Sequence, residues 1–321
     1  MMRMRAIFVA LPVIALSPTL TSAQKILDIE YLSTADNTKQ RALFFDPKPA
    51  KPVPLVVALH TWSGDYKQRH YGAIEKWVRE KGWILIHPDF RGPAKRPEAT
   101  GSDLVVKDIV SAVDYARKTS KVDERAVFCV GVSGGGYHAL VMAGKHPELW
   151  AGVSAWASIS DLKAWHEECT KSGRRYANDV VKSCGGKPGD SPMVDAEYVK
   201  RSPLSYLRNA KGKVPLQIAT GITDGHNGSV PISHSLLAFN EVAEREDRVP
   251  LESIRIMTEK AEVPPGLQTS RVDEAFGGKT PLFERASATA TVTIFKGGHE
   301  IIQPAAIAWM EQLYAQRLEI R

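Results

Sequence analysis

The chain is short of cysteine, of clustered charge and of long apolar runs, and each shortage excludes a class of protein. Three cysteines in 321 residues are too few for a disulfide-built scaffold, and no two of them stand two to four residues apart as the paired cysteines of a zinc site do. No Lys/Arg run of five or more occurs, so the basic tract by which many proteins hold nucleic acid is missing. After the first two dozen residues, no apolar stretch approaches the roughly 20 residues that a membrane-spanning helix needs. No internal repeat or low-complexity tract is present. What is there, 43% hydrophobic and 24% charged residues, suits a globular chain able to bury a core, and one large domain is expected at this length.

The beginning reads as a targeting segment. Arg3 and Arg5 precede the apolar run Ala6 to Leu16, and small residues lead to Ala23, the pattern of a secretory signal peptide spanning residues 1–23. About eleven apolar residues are too short for an anchor across roughly 30 Å of hydrocarbon. An exported protein starting near Gln24, periplasmic or extracellular, is the expectation. Its formal net charge of +6 falls by two with Arg3 and Arg5, to +4. Export also favours pairing of Cys169 with Cys184, which lie in polar, Gly-rich sequence, so a disulfide is expected there. Cys129 sits in the apolar run Ala126 to Val130 and reads as a buried free thiol.

Continuous apolar runs at Leu55 to Leu59, Trp83 to Ile86, Ala126 to Val130, Gly152 to Trp156, Leu216 to Ala219 and Thr291 to Phe295 fit strands buried on both faces of a mainly parallel sheet. Helical periodicity occupies Tyr71 to Lys81, Asp103 to Lys118, Tyr137 to Lys145, Ser233 to Arg245 and Ala305 to Arg317. This alternation predicts a doubly wound α/β fold with helices on both faces. A leading hairpin is expected over residues 26–46. Residues 161–205 and 246–290 break the rhythm and read as lid-like insertions over the site.

Gly131-Val132-Ser133-Gly134-Gly135 places a serine between a predicted strand and a predicted helix. A nucleophile there stands on a strained turn at the strand's carboxyl end, with small neighbours that let backbone pass close by. A Gly-rich turn alone has the same composition, but the strand and helix on either side favour the nucleophile. Gly297-Gly298-His299-Glu300 follows the last strand, making His299 the base. Among the other histidines, His60 and His87 end strands, His226 and His234 flank the acid loop, and His138 belongs to the helix after Ser133. Asp224, in the loop after Leu216 to Ala219, is the acid that would orient the imidazole, with Asp161 as its rival. The oxyanion donors are expected to be the amides of Gly134 and, from the loop after the first core strand, Trp62.

Taken with Pro88-Asp89-Phe90-Arg91-Gly92, Ser202-Pro203-Leu204-Ser205-Tyr206 and Val230-Pro231-Ile232-Ser233, these motifs resemble the prolyl oligopeptidase-like and dienelactone-hydrolase-like branch of the α/β-hydrolases. The resemblance spans roughly residues 55–305. It implies an α/β-hydrolase fold and a carboxylic-ester hydrolase or serine peptidase working through an acyl-enzyme, with no cofactor and no metal. Only some 30 residues separate the expected mature start from the first core strand, so the β-propeller of prolyl oligopeptidases is not expected. The favoured substrate is a small or glycan-linked ester, with the aromatic rings of Trp62, Trp156 and Trp165 as candidate substrate surfaces. A small peptidase is the alternative and calls for a charged group near the site to hold a peptide terminus. A non-catalytic binding protein on the same fold is the reading from another class, against which the intact elbow argues.

Overall fold

The computed structural model describes residues 25–269 and 271–319. The expected signal segment, residues 1–23, lies outside the described residues.

One nine-stranded sheet organises the chain. Its strands are β1 (Leu27–Leu32), β2 (Lys39–Phe45), β3 (Val53–Leu59), β4 (Ile84–Pro88), β5 (Val122–Val132), β6 (Gly152–Trp156), β7 (Leu216–Gly221), β8 (Pro281–Ser287) and β9 (Ala290–Phe295), in spatial order β1-β2-β4-β3-β5-β6-β7-β9-β8. From β4 through β9 neighbouring strands run parallel, while β1 and β2 at one edge and β8 at the other are antiparallel. The side-chain period of two sorts β3 between the sheet's two faces. Leu55, Val57 and Leu59 enter one core cluster and Val56 and Ala58 the other.

Helices close both faces, and their apolar stripes show why. On α2 (Asp103–Thr119), Val105, Val106, Ile109, Ala112, Val113 and Ala116 are buried at helical spacing, and the Ser102 side chain caps the start by accepting from Val105 N. With α2, helices α3 (Gly134–Lys145) and α7 (Ser233–Val242) cover the first face. Helices α1 (Gly72–Lys81) and α9 (Gln303–Glu319) cover the second, through Trp77, Val78, Ala305, Ala306 and Met310. The two are joined by Gln303, whose Oε1 accepts from the Ala73 and Ile74 amides, capping α1 from α9.

The two segments read as lid-like insertions are more regular than expected. Residues 161–205 form α4 (Leu162–Lys171), α5 (Tyr176–Cys184) and α6 (Pro192–Arg201), with Asp161 and Ser191 as side-chain N-caps. Residues 246–290 hold α8 (Leu251–Lys260) and the edge strand β8, which pairs antiparallel along β9.

The expected Cys169–Cys184 disulfide is absent: all three cysteines are free thiols. The polar sequence around them belongs to amphipathic helices whose exposed faces are polar, and the cysteines occupy the inward faces, 0% and 3% exposed. Burial pushes both thiols up to about 12, so they act as small apolar residues, as Cys129 does. Thiol titration of protein denatured without reductant should therefore count three groups per chain; a count of one would restore the bridge.

Candidate active site

Strand β5 ends at Val132 and α3 begins at Gly134, leaving Ser133 as a turn of one residue with φ 59° and ψ −121°. A side-chain-bearing residue held there is strained, and such strain persists only where surrounding contacts impose it. Ser133 N donates to Trp156 O at 2.8 Å, while Tyr71 Oη donates to Leu59 O (2.6 Å) and accepts from Val132 N (3.2 Å). The phenol thus ties the carboxyl ends of β3 and β5 directly beneath the serine. Nothing in the sequence around Tyr71 announces this role, because its partners are backbone groups supplied by distant strands.

His299 lies in the loop between β9 and α9. Its Nε2 is 2.8 Å from Ser133 Oγ and its Nδ1 is 2.8 Å from Asp224 Oδ2. The Asp224 carboxylate is wholly buried and its second oxygen accepts from the amides of Gly225 (2.9 Å) and Val230 (3.1 Å). The acid and histidine loops are stitched together by Thr223, whose N and Oγ1 both donate to Gly297 O. Space there is tight: a Cβ at Gly228 would lie 2.1 Å from Asp224 Oδ1 and 2.7 Å from His299 Cβ.

The loop after β3 is fixed from several sides. Gln68 pairs with Thr61 through both its amide atoms, Trp62 O accepts from Ala94 N, and the buried His60 ring stacks on Phe90 at 3.9 Å. This packing brings the backbone of Trp62 against that of Gly134, where an added Cβ would fall 2.2 Å from Trp62 N. The amide of Gly134, in the first turn of α3, has no intrahelical acceptor, and that of Trp62 has no backbone acceptor among the described residues. Two free donors beside Ser133 are what a developing oxyanion requires. Gly134→Ala must therefore force the two backbones apart, and a loss of about 10²- to 10³-fold in kcat is expected, the usual effect of disabling one oxyanion donor. Steady-state kinetics against any substrate turned over by the wild type checks it.

The remaining candidates are placed elsewhere. Asp161 caps α4, accepting from Lys163 N and Ala164 N. His87, His138 and His234 are buried, His138 bonding Gly134 O and His234 bonding Glu168, while His226 is exposed with Nε2 against Thr258 O. The tryptophans expected to offer surface to substrate are corrected by their burial: Trp62 is 2%, Trp156 0% and Trp165 1% exposed. Trp156 points into the core between Phe276 and Phe295, with Nε1 donating to Ser154. Trp62 packs edge-on against Trp165 at 4.6 Å, so of its groups the amide, not the ring, is available to the site.

Ser229 and Arg174 escaped the sequence reading. Ser229 Oγ lies 3.4 Å from His299 Nε2, its carbonyl accepts from Trp165 Nε1, and Arg174 donates to the neighbouring carbonyl of Gly228. Helix α4 is thereby pinned to the acid loop.

A family model described as the prolyl oligopeptidase family matches residues 69–259. Among curated relatives, acylamino-acid-releasing enzyme 2 of Oryza sativa subsp. japonica is 23% identical over 232 residues, covering 67% of this chain and 28% of that protein. Dipeptidyl aminopeptidase BIII of Pseudoxanthomonas mexicana is 27% identical over 193 residues, covering 56% of the chain and 26% of that protein. The chain thus spans under a third of the length of these relatives. Among solved structures, a puromycin hydrolase superposes with a TM-score of 0.59 at 14% identity, covering 91% of this chain and 40% of that one. An acylaminoacyl peptidase bound to Z-Gly-Gly-Phe-chloromethyl ketone gives 0.56 at 18%, covering 69% and 35%. At these identities the structural likeness shows the fold, which is that of the α/β-hydrolases.

Proposed function

The chain belongs to the prolyl oligopeptidase family, and on that premise we propose that it is a serine hydrolase that cleaves peptide-type amide bonds of small substrates through an acyl-enzyme. The observation that carries this is the unbroken chain from Ser133 Oγ through His299 to Asp224, 2.8 Å at each step. In the proposed cycle His299 Nε2 takes the Ser133 proton as Oγ attacks the carbonyl, and the amides of Gly134 and Trp62 receive the oxyanion. The imidazolium, held by Asp224, then gives its proton to the departing amine. Water repeats the sequence on the acyl-enzyme, releasing the acid and regenerating Ser133.

The amide reading is preferred to the ester reading because the named relatives are peptidases. The aromatic surfaces that suggested a glycan ester are buried. Simple esters remain chemically easier substrates for the same machinery, and they serve as probes.

Labelling with a fluorophosphonate and mapping the adduct by mass spectrometry tests the nucleophile, and Ser133 is the expected site. A panel of aminoacyl, dipeptidyl and N-acylated amides beside aryl and acetyl-sugar esters then separates the readings. Cleavage of esters alone would return the protein to the ester class, and folded protein that takes no label would favour a binding role. Export belongs to the same reading and rests on the pattern at residues 1–23. A secreted product whose amino-terminal residue is Gln24 is the expected result of Edman sequencing.

A further inference from the structure

Residues 172–175, which join α4 to α5, run between the two loops that carry the site and send a guanidinium to each. Arg174 Nη2 donates to Gly228 O at 2.5 Å. Gly228 is the residue packed against Asp224 and His299 Cβ. Arg175 Nη2 reaches Ser63 Oγ at 3.4 Å, and Ser63 follows Trp62 in the oxyanion loop. One arginine therefore touches the acid–base side of Ser133 and the other the oxyanion side.

Their partners are neutral. Among the described residues neither arginine forms an ion pair: the acceptors are a carbonyl and a hydroxyl, and Arg175 also lies 5.9 Å over the Tyr176 ring. Elsewhere the chain supplies carboxylates to sheltered guanidinium groups, Asp36 and Asp108 to Arg91 and Glu197 to Arg201. The segment is also well anchored. Trp165 packs on Trp62 and stacks on Tyr176 at 5.3 Å, and its Nε1 bonds Ser229 O. Two adjacent cations, each held against one of the loops that carry the site and paired with no carboxylate among the described residues, form a field that an anion entering with the substrate would complete.

We propose that this site selects substrates bearing a free carboxylate close to the scissile carbonyl, seated between Arg174 and Arg175. The inference rests on the hydrolase reading above and adds the charge of its substrate. A carboxylate suits the arrangement because its two oxygens match the planar fork of a guanidinium. It takes no part in bond making; it positions the carbonyl over Ser133.

Two substrate pairs test it. On the acyl side, 4-nitrophenyl hemiglutarate is compared with 4-nitrophenyl methyl glutarate; on the leaving-group side, 3-carboxyphenyl acetate is compared with 3-carbamoylphenyl acetate. The wild type should favour the carboxylate in one pair by about 10-fold or more in kcat/KM, mainly through KM, a preference that corresponds to one added charge-assisted contact. The pair that responds tells on which side the anion sits. Arg175→Gln, at an exposed position, should shrink the ratio, Arg174→Lys should shrink it partly by keeping charge without the fork, and the double Arg174→Gln/Arg175→Gln variant should bring it to about one. Ratios near one in both wild-type pairs, or a ratio preserved in the double variant, would overturn the proposal. If instead Ser133 takes no label and no ester of either charge is cleaved, the hydrolase reading has failed. Calorimetric titration with glutarate then decides the anion site by itself, with binding expected in the wild type and lost in the double variant, and no binding to the wild type counting against it.

Discussion

Ser133→Ala should lower kcat by about 10⁴- to 10⁶-fold on whatever the wild type cleaves, the range seen when a triad nucleophile is removed, and should abolish fluorophosphonate labelling. Alanine keeps the backbone turn, and the amide that donates to Trp156 O is unchanged. Only the Oγ contact with His299 Nε2 is lost. The unfolding midpoint should therefore move little, and circular dichroism should match the wild type. Residual turnover would come from the two oxyanion amides and from substrate positioning, neither of which Oγ supplies. A loss of less than 10-fold in a correctly folded variant would remove Ser133 from the nucleophile's role.

Asp224→Asn should cost about 10⁴-fold in kcat, comparable to removing the orienting carboxylate from other serine hydrolase triads, and the reason lies in the hydrogen bonds of this particular aspartate. Oδ1 accepts from two backbone amides, Gly225 N and Val230 N. An asparagine in this position must keep its carbonyl oxygen toward those donors and turn its NH₂ toward His299 Nδ1. That nitrogen then accepts, so the ring proton moves to Nε2, which faces Ser133 Oγ and can no longer take its proton. The variant should fold, bind substrate with a similar KM and fail in the acylation step, visible as loss of the burst in stopped-flow ester cleavage. Retention of the burst would show that the tautomer at His299 is set by another group.

Much of this arrangement is legible in the sequence alone. The runs beginning at Leu55, Trp83, Ala126, Gly152, Leu216 and Thr291 are strands because both faces of a central parallel strand are buried, which leaves a run with no alternation to misread. The strand, the glycines and the helix pattern around Ser133 are all local, so the elbow could be found there. The pairing of Cys169 with Cys184 failed for the opposite reason. Polar and Gly-rich surroundings describe which residues face solvent, while the cysteines lie on the inward faces of α4 and α5, which short helical segments reveal only once packed. The same packing buried Trp62, Trp156 and Trp165. An aromatic near a catalytic motif in sequence carries no information about which side of the sheet its ring will enter.

Short-range periodicity and turn chemistry specify the order of the core strands and of the helices that alternate with them, the nucleophile turn, and the loops from which Asp224 and His299 come, but not the elements inside residues 161–205 and 246–290. The tertiary packing settles that Tyr71 braces the elbow, that Gly134 and Trp62 bring two amides together, and that Arg174 and Arg175 reach the two site loops with no carboxylate partner among the described residues. These contacts join residues far apart in the chain. Their existence depends on how helices settle on the sheet, a balance of burial and close packing that no local window of sequence contains.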